Sequence, residues 1–147
     1  MLIWRLTKPE HAPGLDGEGA RLWGGRWNSP GIPMVYCASS LALAALEVLV
    51  HLPPSMRRAG GLPPLTAVGL ELPDFDIGWI GGSLLNQREC RILGNAWIVG
   101  QFSYAVRAPS FVIPREANIL LNPAHPGMTN IRVQVQEPFR FDDRLVL

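Results

Sequence analysis

The sequence predicts one α+β domain with mixed β-sheets and a few short helices. A chain of 147 residues with 48% apolar residues is long enough to bury a single core. Strand-like apolar runs outnumber helix candidates and do not alternate with them regularly, which favours α+β over a parallel α/β sheet. The 15 glycines and 14 prolines are spread between these runs, which indicates short elements joined by long, shaped loops. We therefore expect residues 1–147 to form one domain.

The first half of the chain predicts three strands and one helix. Short apolar runs bounded by turn residues predict strands at residues 2–6, 34–38 and 65–72. Residues 8–25 are typical of a long glycine-containing loop. Ser39 and Ser40 are N-cap candidates for a leucine- and alanine-rich helix that stops before Pro53. We expect this helix to be largely buried.

The second half predicts one more helix and several strands. Asn86 begins a helix candidate that runs to residue 93, and Gly94-Asn95 is typical of a helix end. Residues 96–101 are ambiguous between helix and strand. The remaining strand candidates are residues 103–106, 110–113, 118–121 and 131–136. The last of these alternates without a break, so one of its faces should contact solvent.

Composition argues against several classes of protein. The net charge is +1, only 17% of residues are charged, and Arg57-Arg58 is the only adjacent basic pair, which disfavours direct nucleic-acid binding. Cys37 and Cys90 lack metal-ligand spacing, so we expect no metal and a reducing, cytoplasmic setting. The longest apolar helix candidate is about half of what a bilayer requires, and residues 1–6 lack the features of a signal peptide. We expect no membrane association.

Glu47 is the only acidic residue in the otherwise apolar stretch 39–52. A buried carboxylate costs several kcal/mol unless it is paired, hydrogen-bonded or protonated. Glu47 is therefore either at an exposed edge of the helix, or in a core ion pair, or functional. His51 follows one turn later on the same face.

A second candidate site is the polar segment 24–31, with the sequence Gly-Gly-Arg-Trp-Asn-Ser-Pro-Gly. Two glycines allow close approach of the backbone to a ligand, Arg26 offers a planar fork of donors for phosphate, and Trp27 can stack on a flat ring. These features suit a nucleotide-binding loop, and they also occur in ordinary β-turns. The segment has neither a dinucleotide-binding glycine motif nor a Walker loop.

Three polar residues in the second half have structural as well as functional interpretations. Ser110 lies between Pro109 and Phe111 without a nucleophile-elbow motif, so a hydrolase triad is disfavoured and a turn role is favoured. Asn118 and Asn122 flank an apolar run, where capping and turn formation are the favoured roles.

These segments together resemble a known family. The four motifs, in chain order, are residues 24–36, residues 45–52, Pro109-Ser110 and residues 118–126. Their order and content resemble the RES-domain family of bacterial toxins, which is named for an Arg, a Glu and a Ser. The resemblance implies an ADP-ribosyltransferase-like fold and attack on NAD⁺ as substrate, with no further cofactor. It also implies a hetero-oligomer with an Xre-like helix-turn-helix antitoxin.

The resemblance assigns the signature residues to Arg26, Glu47 and Ser110, which are the expected catalytic residues. Glu47 would face the positive charge that develops when the nicotinamide–ribose bond breaks, and Arg26 would clamp the pyrophosphate or a ribose. Ser110 would orient the nicotinamide ribose. Tyr36 or Trp27 would stack on a ring.

His51 and Asn118 complete the expected NAD⁺-binding set. His51 would either orient Glu47 or simply pack as a core histidine. Trp23 and Cys37 depart from the residues usual in the family, which affects the pocket wall rather than the signature triplet. The resemblance leaves three functions open: NAD⁺ hydrolysis, mono-ADP-ribosylation of a protein, and nucleotide binding without catalysis.

Overall fold

The computed structural model describes residues 1–58, 60–73, 77–82 and 84–145. Within these residues, six strands form one sheet: β1 (Leu2–Thr7), β2 (Val35–Ala38), β3 (Leu65–Glu71), β4 (Ala105–Pro109), β5 (Ala117–Leu121) and β6 (Arg132–Phe139). The α-helices are α1 (Glu18–Trp23), α2 (Leu41–His51) and α3 (Gln87–Gly100). Short 3₁₀ helices cover Pro9–His11, Pro54–Met56 and Pro126–Asn130. The predicted α+β class is confirmed.

The sheet places β3, from the middle of the chain, next to β6. The strand order is β4-β5-β2-β1-β3-β6, and every neighbouring pair is antiparallel. Because side chains alternate across a strand, β2 contributes to both faces. Val35 and Cys37 join one buried cluster, while Tyr36 and Ala38 lie on the other face, with α2 and the loop after α1. That second face holds the candidate site.

Helix α2 begins where the sequence predicts. Ser40 is the N-cap and its Oγ accepts the Leu43 N–H at 3.1 Å. The expectation that α2 is largely buried is wrong, because only Leu43 and Ala44 are buried on it. The helix lies across the sheet near β1 and β2, and its other side is open to solvent or to the cavity described below.

Two helical predictions are wrong. Residues 18–23 form α1 inside the segment predicted to be loop. The helix is short, and Gly17 and Gly19 beside and within it are residues typical of loops. Helix α3 starts at the predicted Asn86 cap, with a complete capping box, but it continues through Gly94 to Gly100. Gly94 is there because a Cβ would overlap the carbonyl oxygen of Trp27.

Three strand predictions also need correction. Residues 110–113 form a turn instead of a strand, because the Ser110 hydroxyl binds the next backbone amides. Strand β4 covers Ala105–Pro109, later than the predicted residues 103–106. Strand β6 is an edge strand that is mostly exposed on both faces. The predicted solvent-exposed face is therefore found, but the opposite face of the strand is not buried. Within the described residues, no helix is long and apolar enough to cross a bilayer.

Candidate active site

A cavity of about 890 Å³ lies between α2, the sheet and the loop that follows α1. Its size is in the range of about 300–1,000 Å³ that is typical of small-molecule sites. The sequence-predicted residues on its wall are Arg26, Trp27, Tyr36, Glu47, His51 and Asn118. Among the described lining residues Glu47 is the only acidic one. Any acid chemistry in this cavity therefore depends on one carboxylate.

Glu47 is half-buried on α2, and two donors hold one of its oxygens. Oε1 accepts the Ser110 hydroxyl at 2.8 Å and the Asn118 Nδ2–H at 2.8 Å. Within the described chain, Oε2 has no hydrogen-bond partner and Glu47 makes no ion pair. The core ion pair considered for Glu47 is thus not found there. One oxygen is fixed, and the other is available to a ligand.

Ser110 supports Glu47 from inside the fold. It is fully buried, and its Oγ accepts the N–H groups of Val112 at 3.1 Å and Ile113 at 3.0 Å. A hydroxyl has one proton to donate, and that of Ser110 goes to Glu47. The expectation that Ser110 orients a substrate ribose is therefore wrong for this geometry. Ser110 positions the carboxylate instead.

Asn118 contacts Glu47 from β5, in register with Ala38 of β2. Its Oδ1 is buried and has no hydrogen-bond partner among the described residues. Buried acceptors in native structures are normally satisfied, so an unmatched one on a cavity wall fits a ligand hydroxyl or a water. The predicted ligand-binding role of Asn118 is consistent with this placement.

Arg26 is half-buried on the cavity wall, and its guanidinium lies over the ring of Phe111. The distance from Cζ to the ring centroid is 3.8 Å, a cation–π geometry. Stacking uses the flat face of the guanidinium and leaves its N–H edges for hydrogen bonds. Those edges suit a phosphate or carboxylate ligand.

Tyr36 fixes the loop around Arg26 through its hydroxyl. The hydroxyl accepts the Trp27 N–H at 3.0 Å and donates to Asn28 Oδ1 at 2.7 Å. Burial raises the pKa of Tyr36 to about 12, so the phenol remains a donor at neutral pH. Both hydrogen bonds are internal, so only the ring of Tyr36 is left to contact a ligand in the cavity.

Trp27 and His51 line the cavity, but the structure does not support every role that the sequence suggests for them. Trp27 is 2% exposed and its indole lies close to Gly81, so of the two alternatives for stacking on a ring the structure does not support Trp27, and that of Tyr36 stays a prediction. His51 is exposed at the edge of the cavity, and its Nδ1 donates to the Glu47 backbone carbonyl at 2.6 Å. The ring does not bond to the carboxylate, so the geometry does not support an orienting role.

Cys37 is a lining residue of the cavity, but it is 5% exposed and belongs to the buried cluster on the opposite face of the sheet, and burial raises the pKa of its thiol to about 12. A thiol that stays protonated is a poor nucleophile. The chemistry of the cavity therefore rests on Glu47, on the lining arginines Arg5 and Arg26, and on hydrogen-bonding groups.

Comparison with known proteins identifies the family. The RES domain matches residues 2–142, nearly the whole chain. The chain belongs to the RES-domain family. This confirms the family inferred from the four sequence motifs.

Related RES proteins match along nearly their full length. The chain is 34% identical to the "Prs ADP-ribosylating toxin" of a Sphingobium species, over 98% of this chain and 96% of that protein. It is also 34% identical to "Toxin Res" of Pseudomonas putida, over 99% of each. A chain of the Mycobacterium tuberculosis MbcT–MbcA toxin–antitoxin complex shares its fold, with a TM-score of 0.68, 18% identity, and coverage of 94% of this chain and 83% of that chain.

Sequence reasoning missed several residues of this RES-domain site, and two of them contact the Arg26 loop. Phe111 stacks on Arg26, and Arg91 of α3 donates from Nε to the Gly25 carbonyl at 2.9 Å. An aromatic residue directly after the signature serine was a possible signal for Phe111. Arg91 gave none, because it is 66 residues away from its partner.

Proposed function

We propose that this RES domain is the toxin of a bacterial toxin–antitoxin pair and breaks the nicotinamide–ribose bond of NAD⁺. The observation that carries the proposal is how the two carboxylate oxygens of Glu47 are hydrogen-bonded. This carboxylate faces the cavity with one oxygen held by Ser110 and Asn118 and the other without a partner in the described chain. A fixed negative charge of this kind stabilises a cationic transition state without having to reorganise.

The reaction needs no general acid. The nicotinamide nitrogen is cationic in NAD⁺, and it takes the electron pair of the breaking C–N bond and leaves neutral. The ribose carbon develops oxocarbenium character, as in glycoside cleavage, and Glu47 faces that charge. Water then adds to the carbon and releases a proton, which gives ADP-ribose. A single lining carboxylate is sufficient for these steps.

Arg26 supplies the complementary positive charge. Its N–H edges are oriented by stacking on Phe111, so they can bind the pyrophosphate in two parallel hydrogen bonds. A bound ligand would then extend from Arg26 towards Glu47, both of which line the same cavity. The unmatched Asn118 Oδ1 would accept a ribose hydroxyl.

The direct test is release of nicotinamide from NAD⁺ by the purified chain, followed by chromatography. The control is Glu47→Gln, which keeps the size of the side chain and an oxygen acceptor for both donors. We expect release by the wild type and a loss of about 100-fold or more in the variant. A folded wild-type chain that releases no nicotinamide would overturn the proposal.

A second candidate function is transfer of ADP-ribose to a protein. It is favoured by the 34% identity to a protein named as an ADP-ribosylating toxin. Incubation with NAD⁺ labelled in the adenylate part separates the two functions. Label bound covalently to added cell proteins would indicate transfer, and label recovered only as free ADP-ribose would indicate hydrolysis.

We also propose an antitoxin partner, of the Xre-like helix-turn-helix type that the family resemblance implies. The fold is shared with a chain from a solved toxin–antitoxin complex. The apolar side chains Trp23 of α1 and Val50 of α2 are 82% and 46% exposed, and Val50 is on the cavity wall. A protein that covered both would bury apolar surface and close the cavity.

A further inference from the structure

Helix α3 contacts the Arg26 loop with one face. Arg91, Gly94 and Asn95 are spaced i, i+3 and i+4, so they lie on the same side of the helix. We call these three residues the α3 platform. None of them lines the cavity.

The platform contacts the backbone of every second residue in the loop. Arg91 donates to the Gly25 carbonyl at 2.9 Å. Gly94 packs against the Trp27 carbonyl so closely that any Cβ would overlap it.

Asn95, the third residue of the platform, forms two hydrogen bonds with Ser29. Its Oδ1 accepts the Ser29 N–H at 2.9 Å, and its Nδ2 donates to the Ser29 hydroxyl at 2.8 Å. The loop therefore runs along the platform with a fixed register.

Arg26 sits between two peptide groups that are both held. The carbonyl before it, that of Gly25, accepts from Arg91, and the amide after it, that of Trp27, donates to Tyr36. Gly24, next to Gly25, has φ of +73°, a conformation that few other residues adopt. Two successive glycines make this segment adaptable, so its geometry depends on such contacts.

We propose that Arg91 is a positioning residue that sets the direction of the Arg26 guanidinium towards the ligand. The inference rests on the proposed function, in which Arg26 holds the pyrophosphate of NAD⁺. Without Arg91 the Gly25 carbonyl loses its charged donor, and the two glycines give the loop more conformations to lose when NAD⁺ binds. This entropic cost weakens binding of NAD⁺. It does not affect the position of Glu47, because Ser110 and Asn118 hold that carboxylate.

The kinetic test compares Arg91→Gln with Arg88→Gln. Arg88 is exposed on the same helix, so its substitution removes the same charge without touching the loop. For Arg91→Gln we expect KM for NAD⁺ to rise about tenfold while kcat stays within about twofold, because the loss is one of pre-organisation. Arg88→Gln should match the wild type. Equal kinetics for Arg91→Gln and the wild type would overturn the inference.

A double-mutant cycle separates positioning of Arg26 from general stabilisation. In an Arg26→Ala background, Arg91→Gln should cause no further loss in kcat/KM, because the residue it positions is absent. The same fold loss in both backgrounds would refute the role. If Arg91→Gln does not fold, Arg91→Lys keeps the charge but loses the Nε donor, and a smaller rise in KM is expected.

Amide hydrogen exchange tests the inference without any reaction. Arg91→Gln should speed exchange of residues 24–31 about tenfold while exchange in α2 is unchanged, because local openings follow local contacts. Unchanged exchange of the loop would overturn the role of Arg91 even if NAD⁺ is cleaved. If the wild type cleaves no NAD⁺, the proposed function fails and exchange still decides whether Arg91 holds the loop.

Discussion

Glu47 lies partly inside the fold and yet keeps one carboxylate oxygen without a partner in the described chain. Oε2 of Glu47 is not among the buried polar atoms that lack a partner, so it is open to the cavity. Here Ser110 and Asn118 both bind Oε1. The arrangement fixes the charge and leaves Oε2 to a ligand, as a catalytic carboxylate requires.

Replacement of Glu47 by Gln distinguishes catalysis from structure. The variant retains an oxygen that accepts from Ser110 and Asn118, so we expect the melting temperature to stay close to that of the wild type. Turnover should fall by about 100-fold or more, because the charge that faces the oxocarbenium is lost. Thermal unfolding and nicotinamide release are measured on the same preparation. An unstable variant with normal activity in its folded fraction would contradict a catalytic role.

Arg26 should not tolerate lysine. An ammonium has no planar face to stack on Phe111 and cannot form two parallel hydrogen bonds to a phosphate. We expect Arg26→Lys to lose nearly as much kcat/KM as Arg26→Ala, measured by nicotinamide release at low NAD⁺ concentration. Near wild-type kcat/KM in the lysine variant would assign Arg26 to the turn alone.

At the scale of elements, the turn at residues 110–116 connects both halves of the site. Ser110 holds Glu47, and the next residue, Phe111, stacks on Arg26. The turn is closed by Ser110 itself, through the bond from its N–H to the Glu116 carbonyl at 3.0 Å and the two amides bound to its Oγ. The relative placement of negative and positive charge thus depends on one short segment.

Ser110→Ala should reduce both activity and stability. Two partly buried amides lose their acceptor, and Glu47 loses one of its two donors. We expect a lower melting temperature together with a lower kcat. The control is Ser103→Ala, whose hydroxyl bonds Trp97 and Ala105 instead. It should lower stability while kcat of the folded protein is kept. Equal kcat effects would argue against the positioning of Glu47 by Ser110.

Phe111 should affect NAD⁺ binding through its aromatic face. Phe111→Leu keeps an apolar side chain but removes a cation–π contact worth about 0.5–1 kcal/mol, so KM should rise about two- to fivefold. Phe111→Tyr should restore the wild-type KM. A leucine variant with unchanged KM, or a tyrosine variant as weak as leucine, would show that the stacking does not orient Arg26.

At the scale of the whole molecule, expression without an antitoxin should stop growth and lower cellular NAD⁺. The reason is that Arg26, Glu47 and their supporting residues are all present around one cavity. NAD⁺ concentration and culture density are followed after induction. Cells that express Glu47→Gln, and cells that express the wild type together with its cognate antitoxin, should keep normal growth and NAD⁺. Normal growth and NAD⁺ with folded protein present would contradict the toxin assignment.

The local pattern of the sequence determined the α+β class and most element positions. Caps and apolar runs act over a few residues, so Ser40 and Asn86 could be recognised as helix starts from sequence alone. Gly94 shows where this reasoning fails. The sequence treats a glycine as a helix end, whereas a contact with Trp27 places it inside α3.

The residue types of the site were recognisable in sequence, and their roles were decided only by tertiary structure. Glu47 meets Ser110 and Asn118 across 63 and 71 residues. Such contacts depend on how strands are ordered in the sheet, which no local pattern encodes. For the same reason the sequence could not show that Trp27 is buried. The motifs of the chain predicted which residue types form the site, and the fold determined which of them line the cavity and which hold those residues in place.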